Sequence, residues 1–162
     1  ANENGSVNGN FLGIGADMCW RAVLVEESQV PGLLITNGEF VAGEAAEAYM
    51  EIAPSHTGVV QLSNCSFWGP GATIATIDGK GSTSLSQCNF HKWGGEKTRW
   101  TIDARGGDVT LQTCRFGVDK PDIRLGKLVR SAVIMGNRFS VSQEIENSSE
   151  GDVAEGLNVV SK

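Results

Sequence analysis

The chain has 162 residues, 40% of them hydrophobic and 21 of them glycine, a size that fits one domain. Its 13 basic and 19 acidic residues give a net charge of −6, which leaves no electrostatic footprint for nucleic acid and would repel acidic polymers. No apolar stretch reaches the length of a membrane span, so neither nucleic acid nor membrane is an expected partner.

In chain order, Ala1 to Gly5 carry neither the basic nor the apolar region of a signal peptide, and a mature or excised module is expected. The leader Gly5 to Ala16 is short and glycine-rich. From there a repeat takes over. An apolar strand ends five times in a small residue followed by phenylalanine: Ile35-Thr36-Asn37-Gly38-Glu39-Phe40, Leu62-Ser63-Asn64-Cys65-Ser66-Phe67, Leu85-Ser86-Gln87-Cys88-Asn89-Phe90, Leu111-Gln112-Thr113-Cys114-Arg115-Phe116 and Ile134-Met135-Gly136-Asn137-Arg138-Phe139. The phenylalanines recur roughly every 23 to 27 residues, a period of stacked supersecondary units rather than of a fold with one central sheet.

Aligned on phenylalanine, the copies show what each column does. Five residues before it stand Ile35, Leu62, Leu85, Leu111 and Ile134, all aliphatic and read as inward. Three before it stand Asn37, Asn64, Gln87 and Thr113, where the chain turns sharply and the left-handed conformation that asparagine tolerates is needed. A second strand precedes each copy, read as centred on inward Leu24, Ile52, Ile77, Ile102 and Leu125 and set off by turns such as Pro31-Gly32, Gly79-Lys80-Gly81 and Gly106-Gly107. One unit cannot bury its aliphatic and phenylalanine columns alone. It can do so only by lying on the next copy, about 4.8 Å away, which makes a parallel β-helix of about five to six rungs. The tail from Ser140 to Gly156 is polar and shows no apolar period. Asp17 to Val25 and Gly156 to Val160 are expected as partial closing rungs on thinly capped ends.

The N-C-x-F and Q-C-x-F rungs resemble those of the right-handed parallel β-helices of the pectate-lyase superfamily, over roughly Ala22 to Phe139. That resemblance implies an all-β solenoid. It does not imply an activity, because lyases, hydrolases, phage tailspikes and non-catalytic modules share the fold.

Cys65, Cys88 and Cys114 occupy one column on successive rungs, within the Cα separation a disulfide allows. An odd column of inward cysteines is read as free buried thiols, and Cys19 lies outside it. Neither His56 nor His91 joins a close cysteine pair at zinc-ligand spacing, and no metal or cofactor is expected.

Trp68 and Trp93 follow the same column of adjacent rungs, so they leave the solenoid on one side, with Trp100 and Tyr49 expected further along it. Exposed indoles stack on the C–H face of sugar rings, while His91, Lys92, Glu96, Arg99 and Asp119 would bond their hydroxyls. The competing reading is loop packing, with Trp100 turned inward and Trp20 packing an end. Asp78 and Asp103, each following an inward isoleucine, are the best candidates for a catalytic carboxylate pair, against the alternative that they cap glycine turns. Asp119, Asp122 and Arg124 do not reproduce the calcium cluster and basic proton acceptor of a pectate lyase. The expected function is therefore a non-catalytic module, similar to carbohydrate-binding module family 89, spanning 1–162. The resemblance implies xylan as ligand, an appended catalytic domain as partner, and a secreted bacterial parent enzyme acting outside the cell on plant cell walls. The alternatives are a β-helix fragment of a glycoside hydrolase or polysaccharide lyase and, last, an adhesin or tailspike piece.

Overall fold

The computed structural model describes residues 7–93, 99–117 and 121–161. Over these the chain is all strand and no helix, wound into a parallel β-solenoid of about six turns. The coil has three faces. The first stacks β3 (Val23–Val25), β6 (Ala48–Ile52), β9 (Thr73–Ile77), the start of β12 (Ile102–Gln112), the start of β14 (Ile123–Met135) and β16 (Ile145–Asn147). The second stacks β1 (Val7–Leu12), β4 (Ser28–Thr36), β7 (Val59–Ser63), β10 (Ser82–Ser86), the ends of β12 and β14, and β17 (Asp152–Gly156). The third stacks β2 (Gly15–Cys19), β5 (Glu39–Ala42), β8 (Ser66–Gly69), β11 (Asn89–Lys92), β13 (Arg115–Phe116), β15 (Arg138–Phe139) and β18 (Val159–Val160). β12 and β14 run from the first face onto the second, and register breaks between Ala104 and Gly106 and between Gly107 and Asp108 mark that corner.

The phenylalanine ladder is the spine of this stack. Phe40, Phe67, Phe90, Phe116 and Phe139 lie in register and are at most 1% exposed, with successive ring centroids 4.9, 5.8, 5.1 and 4.7 Å apart. Ile35, Leu62, Leu85, Leu111 and Ile134 form the matching column on the second face, also buried. Between these columns the chain turns through a left-handed residue on every coil. Asn37, Asn64, Gln87 and Thr113 have φ of 57°, 54°, 54° and 56°, and glycine takes the same place at Gly136 with φ 67°. Asn64 donates from Nδ2 to Asn37 Oδ1 at 2.8 Å, which ties two successive corners together.

Just inside that corner the column reads Gly38, Cys65, Cys88, Cys114, Asn137 and Asn158. The three thiols are buried and unbridged, each sharing its proton with backbone carbonyls such as Ser63 O, Ser86 O and Gln112 O. The neighbouring thiol and then burial hold Cys65 far above the usual thiol range and push Cys88 up to about 12. Asn137 continues the column by bonding outward to its neighbours: its Oδ1 accepts from Cys114 N at 2.8 Å and its Nδ2 donates to Leu111 O at 2.9 Å. A buried amide with its partners satisfied is tolerated where an unpaired one would cost a few kcal/mol.

The first face departs from the sequence reading in one respect. Its inward column is Val25, Ile52, Ile77, Ala104 and Leu125, while Leu24 points outward at 46% exposure, opposite Glu51. Ile102 is inward but belongs one step earlier, with Val23, Met50, Ala75 and Ile123. In an unbroken apolar run such as Val23-Leu24-Val25 either parity satisfies the pattern, and only the register decides. The polar tail also folds as strand. Ile145–Asn147 and Asp152–Gly156 add to β14, placing Asn147 and Glu155 opposite inward Leu125 and Ile134. Polar residues thus replace aliphatic ones on the last described coil, which no other described strand covers.

Candidate functional site

On the third face Phe67 and Phe90 point inward, so the strand period turns Trp68 and His91 outward, and they lie in register with Val41. Trp93 follows β11 by one residue, its N–H donating to Gly69 O at 3.3 Å. Gly69 makes this exit possible. Its φ is 128°, and a Cβ there would lie 2.7 Å from Ala42 O. The result is a compact aromatic cluster. Trp68 and Trp93 have ring centroids 6.0 Å apart at 36°, and His91 meets Trp93 edge-on at 5.8 Å. The indoles are 38% and 39% exposed, so each keeps part of a face open to solvent. Trp68 Nε1 donates to Glu39 Oε1 at 3.2 Å, which fixes its ring direction.

The remaining expected site residues are not gathered here. Lys92 is inward and buried, and Tyr49 is 1% exposed, edge-on to Phe67, with its hydroxyl pushed up to about 12 by burial. Glu96 and Asp119 lie outside the described residues. Trp100, half-buried, and Arg99, exposed, belong to the first face. There Arg99 pairs with Glu47 at 3.2 Å and borders two shallow polar grooves of about 310 and 410 Å³. Trp20 walls the smaller groove at 67% exposure instead of packing an end, and Trp100 walls the larger.

Asp78 and Asp103 do not form a pair of facing carboxylates. Asp103 stands in register with Thr76 and Arg124, two residues away from the position of Asp78 along the strand. Arg124 grips Asp103 through two bonds of 2.7 Å, Arg105 adds another at 2.7 Å, and Arg105 also reaches Asp78 at 3.4 Å. An arginine therefore separates the two acids, and Asp103, 6% exposed, has its oxygens filled. Such an arrangement sets guanidinium groups against both carboxylates and braces the face, and it lacks the direct approach of two carboxyl groups that an acid and nucleophile pair needs.

Two buried residues and two exposed ones were not anticipated. His56 is 0% exposed, with Nε2 2.8 Å from Ser28 Oγ. The serine hydroxyl donates its single proton to Val59 O, so it accepts from Nε2–H, and Nδ1 is left as a buried acceptor without a donor among the described residues. Arg115 and Arg138 extend outward on β13 and β15, the first and second strands beyond β11 on the same face. Both occupy the position directly before a ladder phenylalanine, so aligning that column would have found them.

Among the described residues no group of three or more His, Cys, Asp and Glu side chains is placed to share a metal ion. Compared with the profiles of known protein families, with characterised proteins and with solved structures, the chain matches none.

Proposed function

We propose that this chain is a non-catalytic carbohydrate-binding module that holds a plant cell-wall polysaccharide, xylan-type hemicellulose foremost, and tethers to it the catalytic domain of a secreted bacterial enzyme. The observation that carries the reading is the pair of half-open indoles, Trp68 and Trp93, on adjacent coils of one outer face at 6.0 Å. Two rings at that separation can each stack on a sugar of one chain, and their 36° tilt suits a chain whose successive rings twist better than a flat crystalline surface. The likeness to family 89 modules in small size, thin caps and surface tryptophans adds the choice of xylan. It adds nothing about which residues bind.

Affinity electrophoresis and calorimetry on soluble xylan and mixed-linkage glucan test the proposal. Exposed platforms bind in the micromolar to millimolar range, about −4 to −8 kcal/mol. Trp93→Ala should cost about 1 to 3 kcal/mol of that, the value of one stacking contact with its buried area. Unchanged retention on polysaccharide together with a large fall in melting temperature would make Trp93 loop packing and remove the platform.

The grooves of the first face support a second reading, a fragment of a glycoside hydrolase or lyase, because they bring Trp20, Trp100 and the acids Asp78 and Asp103 to one face. The arginines bound to both acids weigh against it. Reducing or unsaturated sugar released by the isolated chain, and lost in Asp103→Asn, would establish that reading over the module.

A further inference from the structure

The outward column directly before the phenylalanine ladder runs Glu39, Ser66, Asn89, Arg115 and Arg138 in register. Arg115 and Arg138 are thus lateral neighbours on adjacent strands, about 4.8 Å apart along the stack, and both are exposed. Like charges in that position destabilise a sheet. Of the chain's seven arginines, Arg21, Arg99, Arg105, Arg124 and Arg130 each meet a carboxylate, in a protein with acids in excess. Among the described residues only Arg115 and Arg138 meet none. The two guanidinium groups without a carboxylate are therefore the two stacked side by side, on the same face as the indoles.

Beyond His91 the outward position falls to Gly117, where a Cβ would lie 2.7 Å from His91 Nδ1. Gly117 adds no side chain of its own at that position, and the His91 imidazole lies over it. At the other end of the column, three coils and roughly 14 Å from Arg115, stands the carboxylate of Glu39. The face is polarised, acidic where Trp68 begins it and cationic past His91.

We propose that this face binds a glycan carrying uronic acids, its rings stacked on Trp68 and Trp93 and a carboxylate held by Arg115 and Arg138. The proposal rests on the carbohydrate reading above and names the class of glycan. A carboxylate supplies what the fold withholds: it relieves the repulsion between the two cations and can take two parallel N–H bonds from a guanidinium group. The net charge of −6 does not forbid this. Screening in physiological salt confines repulsion from remote acids to about 8 Å, so contact with two adjacent cations outweighs it. Acidic polymers are repelled by the protein as a whole and accepted at this one place.

The test compares glucuronoxylan with the same polymer after its carboxyl groups are reduced to alcohols, by calorimetry at low and high salt. Wild-type protein should bind the acidic polymer more tightly by roughly three- to tenfold, the worth of two exposed charge contacts, and salt should erase the difference. Arg115→Ala with Arg138→Ala should bring the two polymers level, whereas Trp93→Ala should weaken both. Equal wild-type binding to both polymers, still lost in Trp93→Ala, would overturn the uronate proposal and leave the platform standing. Binding to neither polymer would remove the platform and the proposal together.

Discussion

Replacing Phe90 with alanine separates the frame of this solenoid from its surface. The ring is 0% exposed and lies between Phe67 at 5.8 Å and Phe116 at 5.1 Å, so it has no free face. Truncating a buried phenylalanine costs about 3 to 5 kcal/mol through lost transfer energy and the cavity left behind. The two ring contacts, worth about 0.5 to 1.5 kcal/mol each, put this position toward the upper end. A domain of this size has about 5 to 15 kcal/mol in all, so the variant should be much weakened, though folded in the cold. Urea unfolding followed by tryptophan fluorescence measures it, with Trp20 and Trp68 on the coils before the lesion and Trp100 after it. Because each coil touches only its neighbours, the transition should broaden or split as the two sides unfold apart. Trp93→Ala, three residues away and 39% exposed, should cost only about 1 kcal/mol in the same assay. A loss under about 1.5 kcal/mol for Phe90→Ala, or one no larger than that of Trp93→Ala, would refute the buried ladder.

Three further outcomes follow from the buried groups. Native protein at neutral pH should be alkylated at half-buried Cys19, while Cys65, Cys88 and Cys114 react only after denaturation without reductant; protection of two of them in the unfolded chain would reveal a disulfide between rungs. Burial lowers the pKa of His56 despite the pull of Glu27, so the unfolded chain binds the extra proton first, and stability should fall as pH drops below about 6.5 until the depressed folded value is passed. Melting temperatures between pH 7.5 and 5 should show this slope and His56→Gln should flatten it; an unchanged slope in the variant would place the acid sensitivity elsewhere. Asp103→Asn, which takes the carboxylate from Arg105 and Arg124, should cost about 1 to 3 kcal/mol in urea, a value below the full buried-pair figure because both arginines are part-exposed, and a neutral result would mean that the network contributes nothing.

The columns that the sequence made legible are those in which one residue type recurs at one offset from phenylalanine. Each phenylalanine resets the two-residue period, so parity errors cannot accumulate across a corner, and the corner is marked by residues that accept a positive φ. The first face has no such marker. Its strands enter through loops of unequal length, the inward partner of Ile77 is Ala104, and an alanine carries too little hydrophobic signal to outvote Ile102 two residues earlier. From that misplaced column came the expectation that Asp78 and Asp103 face each other. A two-residue offset was enough to turn a charge-balanced brace into an apparent catalytic pair.

The indoles show the same limit from the other side. Trp68 and Trp93 were legible as neighbours because both follow the ladder directly, whereas Trp100 stands beyond a loop whose direction no spacing specifies, and it emerges on another face. Arg115 and Arg138 mark the boundary most sharply. Their stacking can be read from the alignment alone, since both precede a ladder phenylalanine. That they meet no carboxylate among the described residues cannot, because it depends on where the acids of the other two faces fall. Four of the other five arginines meet acids brought close only by the winding of the chain, and Arg105 meets Asp78 that way and Asp103 within its own strand. An unmet charge is a property of the whole coil, and that makes it a better pointer to a ligand than the aromatic pair taken alone, which packing could explain.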